Sequence, residues 1–257
     1  MSVDQNNPFL TGKVIAVDKP LEWTSFDIVN KFRYRLCKQL HVKKFKVGHA
    51  GTLDPLATGL VLLCTGRSTK RIEELQADRK TYIATLKLGE TTASHDLESV
   101  VEHSGSYDHV SPGILEEVLQ EFIGSIEQVP PAFSACKIEG TRAYEMARRG
   151  EEVALRSKTV TIHAIRILAY NLPEVTLEIE CGKGTYIRSL ARDLGERLGC
   201  GAHLTSLRRT QIGQYTVYEA ISPEEFDAYI AEVLDKYQAE NEHNRAQGVV
   251  PTGGIIS

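Results

Sequence analysis

The 257-residue chain lacks any apolar run long enough to cross a membrane, and its longest, Leu60–Cys64, is strand-sized. It also lacks a basic N-terminal segment followed by an apolar core, since MSVDQNNPFL supplies neither, so no signal peptide is expected. Cysteines are few: Cys37, Cys64, Cys136, Cys181 and Cys200, no two of them at zinc-ribbon spacing. An odd count without an export signal predicts reduced thiols and a cytoplasmic protein. Internal repeats are absent. Strong charge of one sign is missing too: 30 Lys and Arg stand against 34 Asp and Glu, a net of −4. The remainder, 42% hydrophobic and 25% charged, is ordinary for a globular chain that buries a sizeable core.

The weak net charge conceals an uneven distribution. From Glu219 onward eight acids face two bases, which leaves residues 1–218 at +2. Within them, Lys31–Lys46 (KFRYRLCKQLHVKKFK) holds seven Lys and Arg and no acid. Such a segment is either a phosphate-binding patch or a solvated helix face.

Periodicity predicts a strand over 13–20 that ends at Pro20. Thr24 or Ser25 would cap a helix to about Leu40, with Phe26, Val29, Phe32 and Leu36 on its apolar face. A glycine-punctuated loop (48–59), a strand (60–65) and a short helix (68–75) come next. Residues 81–88 alternate as a strand, and 91–110 are polar enough to read as a loop. A helix over 114–122 starts at Ser111-Pro112. Strands are expected at 133–138, 159–168 and 175–181, and helices at 143–149, 186–198 (stopped by Gly199) and 221–237. A polar tail closes the chain. Strands and helices mix without regular βαβ alternation, which predicts an α+β fold: a central mixed, mostly antiparallel sheet flanked by helices.

Three segments carry the chemistry. In Gly48-His49-Ala50-Gly51-Thr52-Leu53-Asp54-Pro55-Leu56-Ala57-Thr58-Gly59, Pro55 biases Asp54 towards an extended backbone. Asp54 therefore either projects into a cleft or makes a local Asx-turn. In Gly182-Lys183-Gly184-Thr185-Tyr186-Ile187-Arg188, Gly184 follows Lys183 where a phosphate loop needs Ser or Thr, which disfavours an NTP-dependent enzyme. Arg188 would sit in a helix's first turn, where the dipole disfavours a cation, so it either meets a specific acceptor or lies on the surface. Tyr82 shares a strand face with Ala84, Leu86 and Leu88, as a core tyrosine or one reaching a site.

Taken in order, VDKP (17–20) with WTS (23–25), GHAGTLDPLATG (48–59), RKTYIATLKLG (79–89), QVPPAFSACKIEGTRAYEMARRG (128–150) and CGKGTYIRSLARDLG (181–195) with AHLTSLRR (202–209) resemble the TruB family of tRNA pseudouridine synthases. The likeness runs from about Lys13 to Gly213. Guide-RNA-dependent, dyskerin-like synthases share the Leu-Asp-Pro block, but Leu56-Ala57-Thr58-Gly59 is more similar to the stand-alone tRNA enzymes.

The resemblance implies a pseudouridine synthase catalytic domain over 1–222, with RNA-binding insertions. Residues 223–257 would be an acidic helix and a disordered tail in place of a C-terminal PUA domain. It implies conversion of uridine 55 in the tRNA T loop to pseudouridine, by base flipping, with no cofactor and no metal. Asp54 would be the catalytic aspartate, Arg188 its partner and Tyr82 the tyrosine against the target base. Tyr186 and Leu207 would wall the base pocket, His49 would assist extrusion, and Asp96 would contact flipped-out nucleotides. Lys19 would pack behind the aspartate loop, and Lys70, Lys43 and Lys44 would contact phosphates. Departures are Ala50, where Thr is usual, and a looser match over 91–99. The expected partner is tRNA, bound by a monomer; the rival reading is a non-catalytic tRNA-folding chaperone, which could also be a second activity of the same cleft.

Overall fold

In the computed structural model, residues 4–133, 137–138, 141–142, 149 and 155–246 are described. A one-turn helix α1 (Pro8–Thr11) leads into β1 (Val14–Lys19). Helix α2 (Ser25–Gln39) starts at a capping box. Thr24 accepts from the Asp27 N–H, and the Asp27 carboxylate accepts from the Thr24 N–H. Its buried face is Ile28, Val29, Phe32 and Leu36. Phe26, expected on that face, is 57% exposed, because it lies in the first turn and its ring sits under Arg33 instead.

Strands β2 (Val47–Ala50) and β3 (Ala57–Thr65) take both ends of the expected glycine loop, leaving residues 51–56 as the loop proper. A 3-10 turn (Gly66–Arg71) and α3 (Ile72–Ala77) lead to β4 (Lys80–Leu88). The polar 91–110 stretch is not all loop: β5 (Glu90–Thr92) and β6 (Val101–Ser104) pair as an antiparallel hairpin. Helix α4 (Pro112–Glu121), capped by Ser111, precedes β7 (Gly124–Gln128), a strand without a clear sequence signal. The short pair β8 (Lys137–Ile138) and β9 (Thr141–Arg142) follows. The expected helix 143–149 lies outside the described residues except for residue 149. Next come β10 (Lys158–Asn171), β11 (Glu174–Cys181), α5 (Ile187–Arg197), β12 (Ala202–Ile212) and β13 (Tyr215–Thr216). Helix α6 (Phe226–Ala246) starts and ends later than 221–237, because residues 238–246 are rich in helix-favouring Ala and Glu. The tail beyond 246 lies outside the described residues.

Among the described residues, nine strands form one sheet ordered β1-β3-β12-β4-β11-β10-β7, with β2 on β3 and β13 on β12. All pairings are antiparallel except β3 with β12. The fold is therefore α+β with a mixed, mostly antiparallel sheet. Helices α4 and α5 bury Leu115, Leu119, Leu190 and Leu194 against the face of β4 and β11 that carries Tyr82, Ala84, Leu177 and Ile179. A second cluster joins α1, α2 and α6 through Phe9, Phe32, Phe226 and Ile230, with the Phe32 and Phe226 rings edge-to-face at 5.0 Å. No helix of the described residues is long and apolar enough to cross a membrane.

Candidate active site

The 51–56 loop is pinned from several sides. Ser25 Oγ, at the start of α2, accepts from Leu53 N–H at 2.8 Å and donates to Leu53 O at 3.2 Å. Lys19 is fully buried and donates to the carbonyls of Pro20 (2.9 Å), Trp23 (2.6 Å) and Pro55 (3.3 Å). Arg209, from β12, donates to Gly51 O, Thr52 O and Leu60 O. Held in this way, Asp54 presents a side chain 38% exposed, and its Oδ2 accepts from Arg188 Nε at 2.9 Å.

Arg188 is 4% exposed and sits in the first turn of α5. Its acceptors offset the unfavourable dipole: Asp54, Ser94 O at 3.2 Å, Phe133 O at 2.8 Å, and the buried Asp96 with Oδ2 3.6 Å away. Asp96 is held in turn by the Glu98 N–H.

Two hollows flank Asp54. One, of about 340 Å³, is lined by Asp54, Tyr82, Tyr186, Arg188, Leu207 and Arg209, with Lys80 and the Gly182–Thr185 loop at its side. The other, of about 120 Å³, is largely apolar, bounded by Leu21, Leu56, Leu97, Leu204 and Leu207, with Asp54, Asp96 and Arg188 in its wall. The structure thus brings Asp54, Tyr82, Arg188, Asp96, Tyr186 and Leu207 together. His49 lines neither hollow. It lies on β2, half-buried, with an Nδ1 that has no hydrogen-bond partner among the described residues. Lys43, Lys44 and Lys70 are exposed and stand apart from both hollows.

A profile described as TruB family pseudouridylate synthase (N terminal domain) matches residues 38–187, and one described as tRNA pseudouridylate synthase B C-terminal domain matches 188–245. The chain belongs to the TruB family. Proteins named tRNA pseudouridine synthase B are similar to it along most of its length. That of Parabacteroides distasonis is 55% identical over 90% of this chain and 99% of its own. That of Phocaeicola vulgatus is 55% identical over 86% and 94% respectively. Among solved structures, a chain of an archaeal box H/ACA sRNP Nop10-Cbf5 complex superposes with a TM-score of 0.62 at 25% identity, and one of a Cbf5-Nop10-Gar1 complex with 0.64 at 28%. The chain covers 54% and 55% of those two chains, about half their length.

Two further residues of this site, Gln128 and Arg209, have no separate signal in the sequence. Gln128, buried at the end of β7, grips both main-chain groups of Tyr186: its Oε1 accepts from the N–H at 2.8 Å and its Nε2 donates to the C=O at 3.1 Å. Arg209 is buried with its Cζ 6.0 Å from the Tyr82 ring centroid. A charge run such as Leu207-Arg208-Arg209 reads as surface, and only strand alternation separates the two arginines. Arg208 leaves the sheet on the other face to pair with Asp18.

Burial and these cations set the local titrations. Burial pulls Lys19 down to about 8, against the attraction of Asp54, and pulls Lys80 to about 8, reinforced by Arg209. Burial pushes the Tyr82 phenol up, with Arg209 opposing, so it is neutral at pH 7. His49 is pulled down, chiefly by burial, and His95 to about 4 by burial and then Arg192 and Arg188. Cys37, Cys64, Cys181 and Cys200 are free thiols, and Cys136 lies outside the described residues. Among the described residues, no cluster of three His, Cys, Asp or Glu side chains is arranged to hold a metal.

Proposed function

We propose that the chain isomerises uridine 55 of the tRNA T loop to pseudouridine, with Asp54 as the catalytic carboxylate. The observation that carries this is a single accessible carboxylate, oriented by a buried arginine, at the wall of a hollow that also holds Tyr82. The reaction breaks the N1–C1′ bond, turns the detached uracil and joins C5 to C1′; the C5 proton is lost and N1 gains one. No oxidant, reductant or nucleotide is consumed. Asp54 suits either of two opening steps, attack on C1′ or removal of the C2′ proton. Arg188 pairs with it and keeps it aimed in a site from which the base excludes water.

Tyr82 and Leu207 enclose the uracil, and the Tyr82 hydroxyl is the proposed acceptor for the C5 proton, giving up its own phenolic proton towards N1 as it does so. A T-loop uridine is stacked, so it must be flipped out to reach Asp54, and the apolar hollow past Leu56 and Leu97 gives displaced bases a place to rest. Similarity at 55% identity to proteins named tRNA pseudouridine synthase B, against 25–28% to the Cbf5-complex chains, favours tRNA over a guide-RNA target.

Asp54→Asn keeps shape and removes the charge. Product formation is expected to fall by about 10⁴-fold or more, while the Kd for tRNA changes by less than about threefold. Turnover near the wild-type rate would overturn the assignment. Any tRNA-refolding activity would use the same cleft without the carboxylate and is expected to survive in Asp54→Asn.

A further inference from the structure

Arg209 is the largest fully buried side chain described, at 1% exposure. A buried guanidinium ordinarily faces a carboxylate. This one makes no ion pair among the described residues and spends its donors on three main-chain carbonyls: Leu60 O at 2.7 Å, Gly51 O at 3.1 Å and Thr52 O at 3.3 Å. Gly51 and Thr52 precede Asp54 in the loop, and Leu60 follows it on β3. The same residue pairs in the sheet with Gly59 on one side and Tyr82 on the other. A β-carbon on Gly59 would lie 2.2 Å from Arg209 O, so the glycine is what lets the two backbones approach. Its guanidinium lies beside the Tyr82 ring.

We infer that Arg209 is a positioning residue for the reaction: one planar guanidinium ties together both ends of the Asp54 loop and fixes that loop relative to Tyr82. This rests on the reading of Asp54 and Tyr82 as the groups that meet the uridine. The chemistry explains why an arginine is present. Three carbonyls that diverge around one plane are matched by a fork of N–H donors, whereas an ammonium is a compact point donor that cannot span them. A displacement of about 1 Å in a reacting group costs on the order of 100-fold in rate. A loop released at Gly51 and Thr52 has that freedom, even with Lys19 and Ser25 still holding its other contacts.

The test separates chemistry from binding and from stability. Single-turnover pseudouridine formation and tRNA Kd are measured for wild type, R209K and R209Q, below the melting temperature of each. Phe226→Leu, a core change beneath α2 and α6, serves as a destabilised control. R209K keeps the charge and most of the volume; it is expected to be slower by about tenfold or more with Kd within about threefold. R209Q, which leaves carbonyls unpaired, is expected to be slower still, and Phe226→Leu to keep the wild-type rate. R209K at the wild-type rate would overturn the inference, as would equal losses in R209K and Phe226→Leu, or a rate loss matched by lost affinity. If R209K fails to fold, the same thresholds apply to R209Q. No product from the wild-type enzyme would overturn the proposed function itself, and the inference with it.

Discussion

Lys19, Lys80, Arg188 and Arg209 are all buried around the cleft, and among the described residues the buried or half-buried acids that face them there are only Asp54, Asp78 and Asp96. An excess of desolvated positive charge suits a site that binds an RNA anion and forms negative charge on a detached base, and it is unfavourable to the empty protein. The two lysines register this imbalance, each at about 8 when folded against 10.5 when unfolded. Between those values the unfolded chain binds more protons, so these groups make stability rise with pH. The buried thiols Cys64 and Cys181 act the other way, at about 11 folded against 9.0 unfolded, and so lower stability as pH passes 9. Urea unfolding is therefore expected to show stability rising from pH 8 to 9 and flattening above; a fall from pH 8 to 9 would mean that the lysines are not desolvated.

At the scale of elements, the parallel contact of β3 with β12 brings the Asp54 loop beside Tyr82. Gly59 has φ +103°, and Gly59→Ala would both strain the backbone and drive a β-carbon into Arg209 O. Gly59→Ala is expected to destabilise the fold by more than about 2 kcal/mol, read as a lowered urea midpoint; an unchanged midpoint would show that this contact is dispensable. Elements with strong local chemistry were legible in the sequence. Thr24 or Ser25 ahead of the helical spacing of Val29, Phe32 and Leu36 announces α2, and alternation over 81–88 announces β4 with Tyr82 on the face of Ala84, Leu86 and Leu88. Strand β12 was not legible as a strand. AHLTSLRRTQI is polar, and it is buried by neighbours on both sides that only the tertiary fold supplies. Asp54, Tyr82 and Arg188 stood out by motif order. Arg209 and Gln128 did not, since their partners are main-chain atoms distant in sequence. Ala50 is buried among Leu60, Leu62 and Leu75, a setting in which a methyl group packs without needing a polar partner.

Across the whole molecule, the acidic C-terminal region does more than offset charge. Glu224 pairs with Lys31 at 3.2 Å, and Asp227 pairs with Arg35 at 3.1 Å and accepts from Gln39. Part of the basic segment 31–46 is thus already neutralised, while Lys43 and Lys44 remain exposed. The double variant Glu224→Gln/Asp227→Asn frees two cations. It is expected to bind tRNA more tightly at low salt, and the slope of log K against log salt should steepen by about 0.7–0.9 for each phosphate gained. An unchanged slope would place α2 away from the RNA. The reaction and its position are read together by nucleotide-resolution pseudouridine mapping on an unmodified tRNA transcript incubated with the purified protein and no added cofactor. Pseudouridine at position 55 is expected with the wild-type chain. Bound but unmodified transcript, or pseudouridine confined to another position, would contradict it.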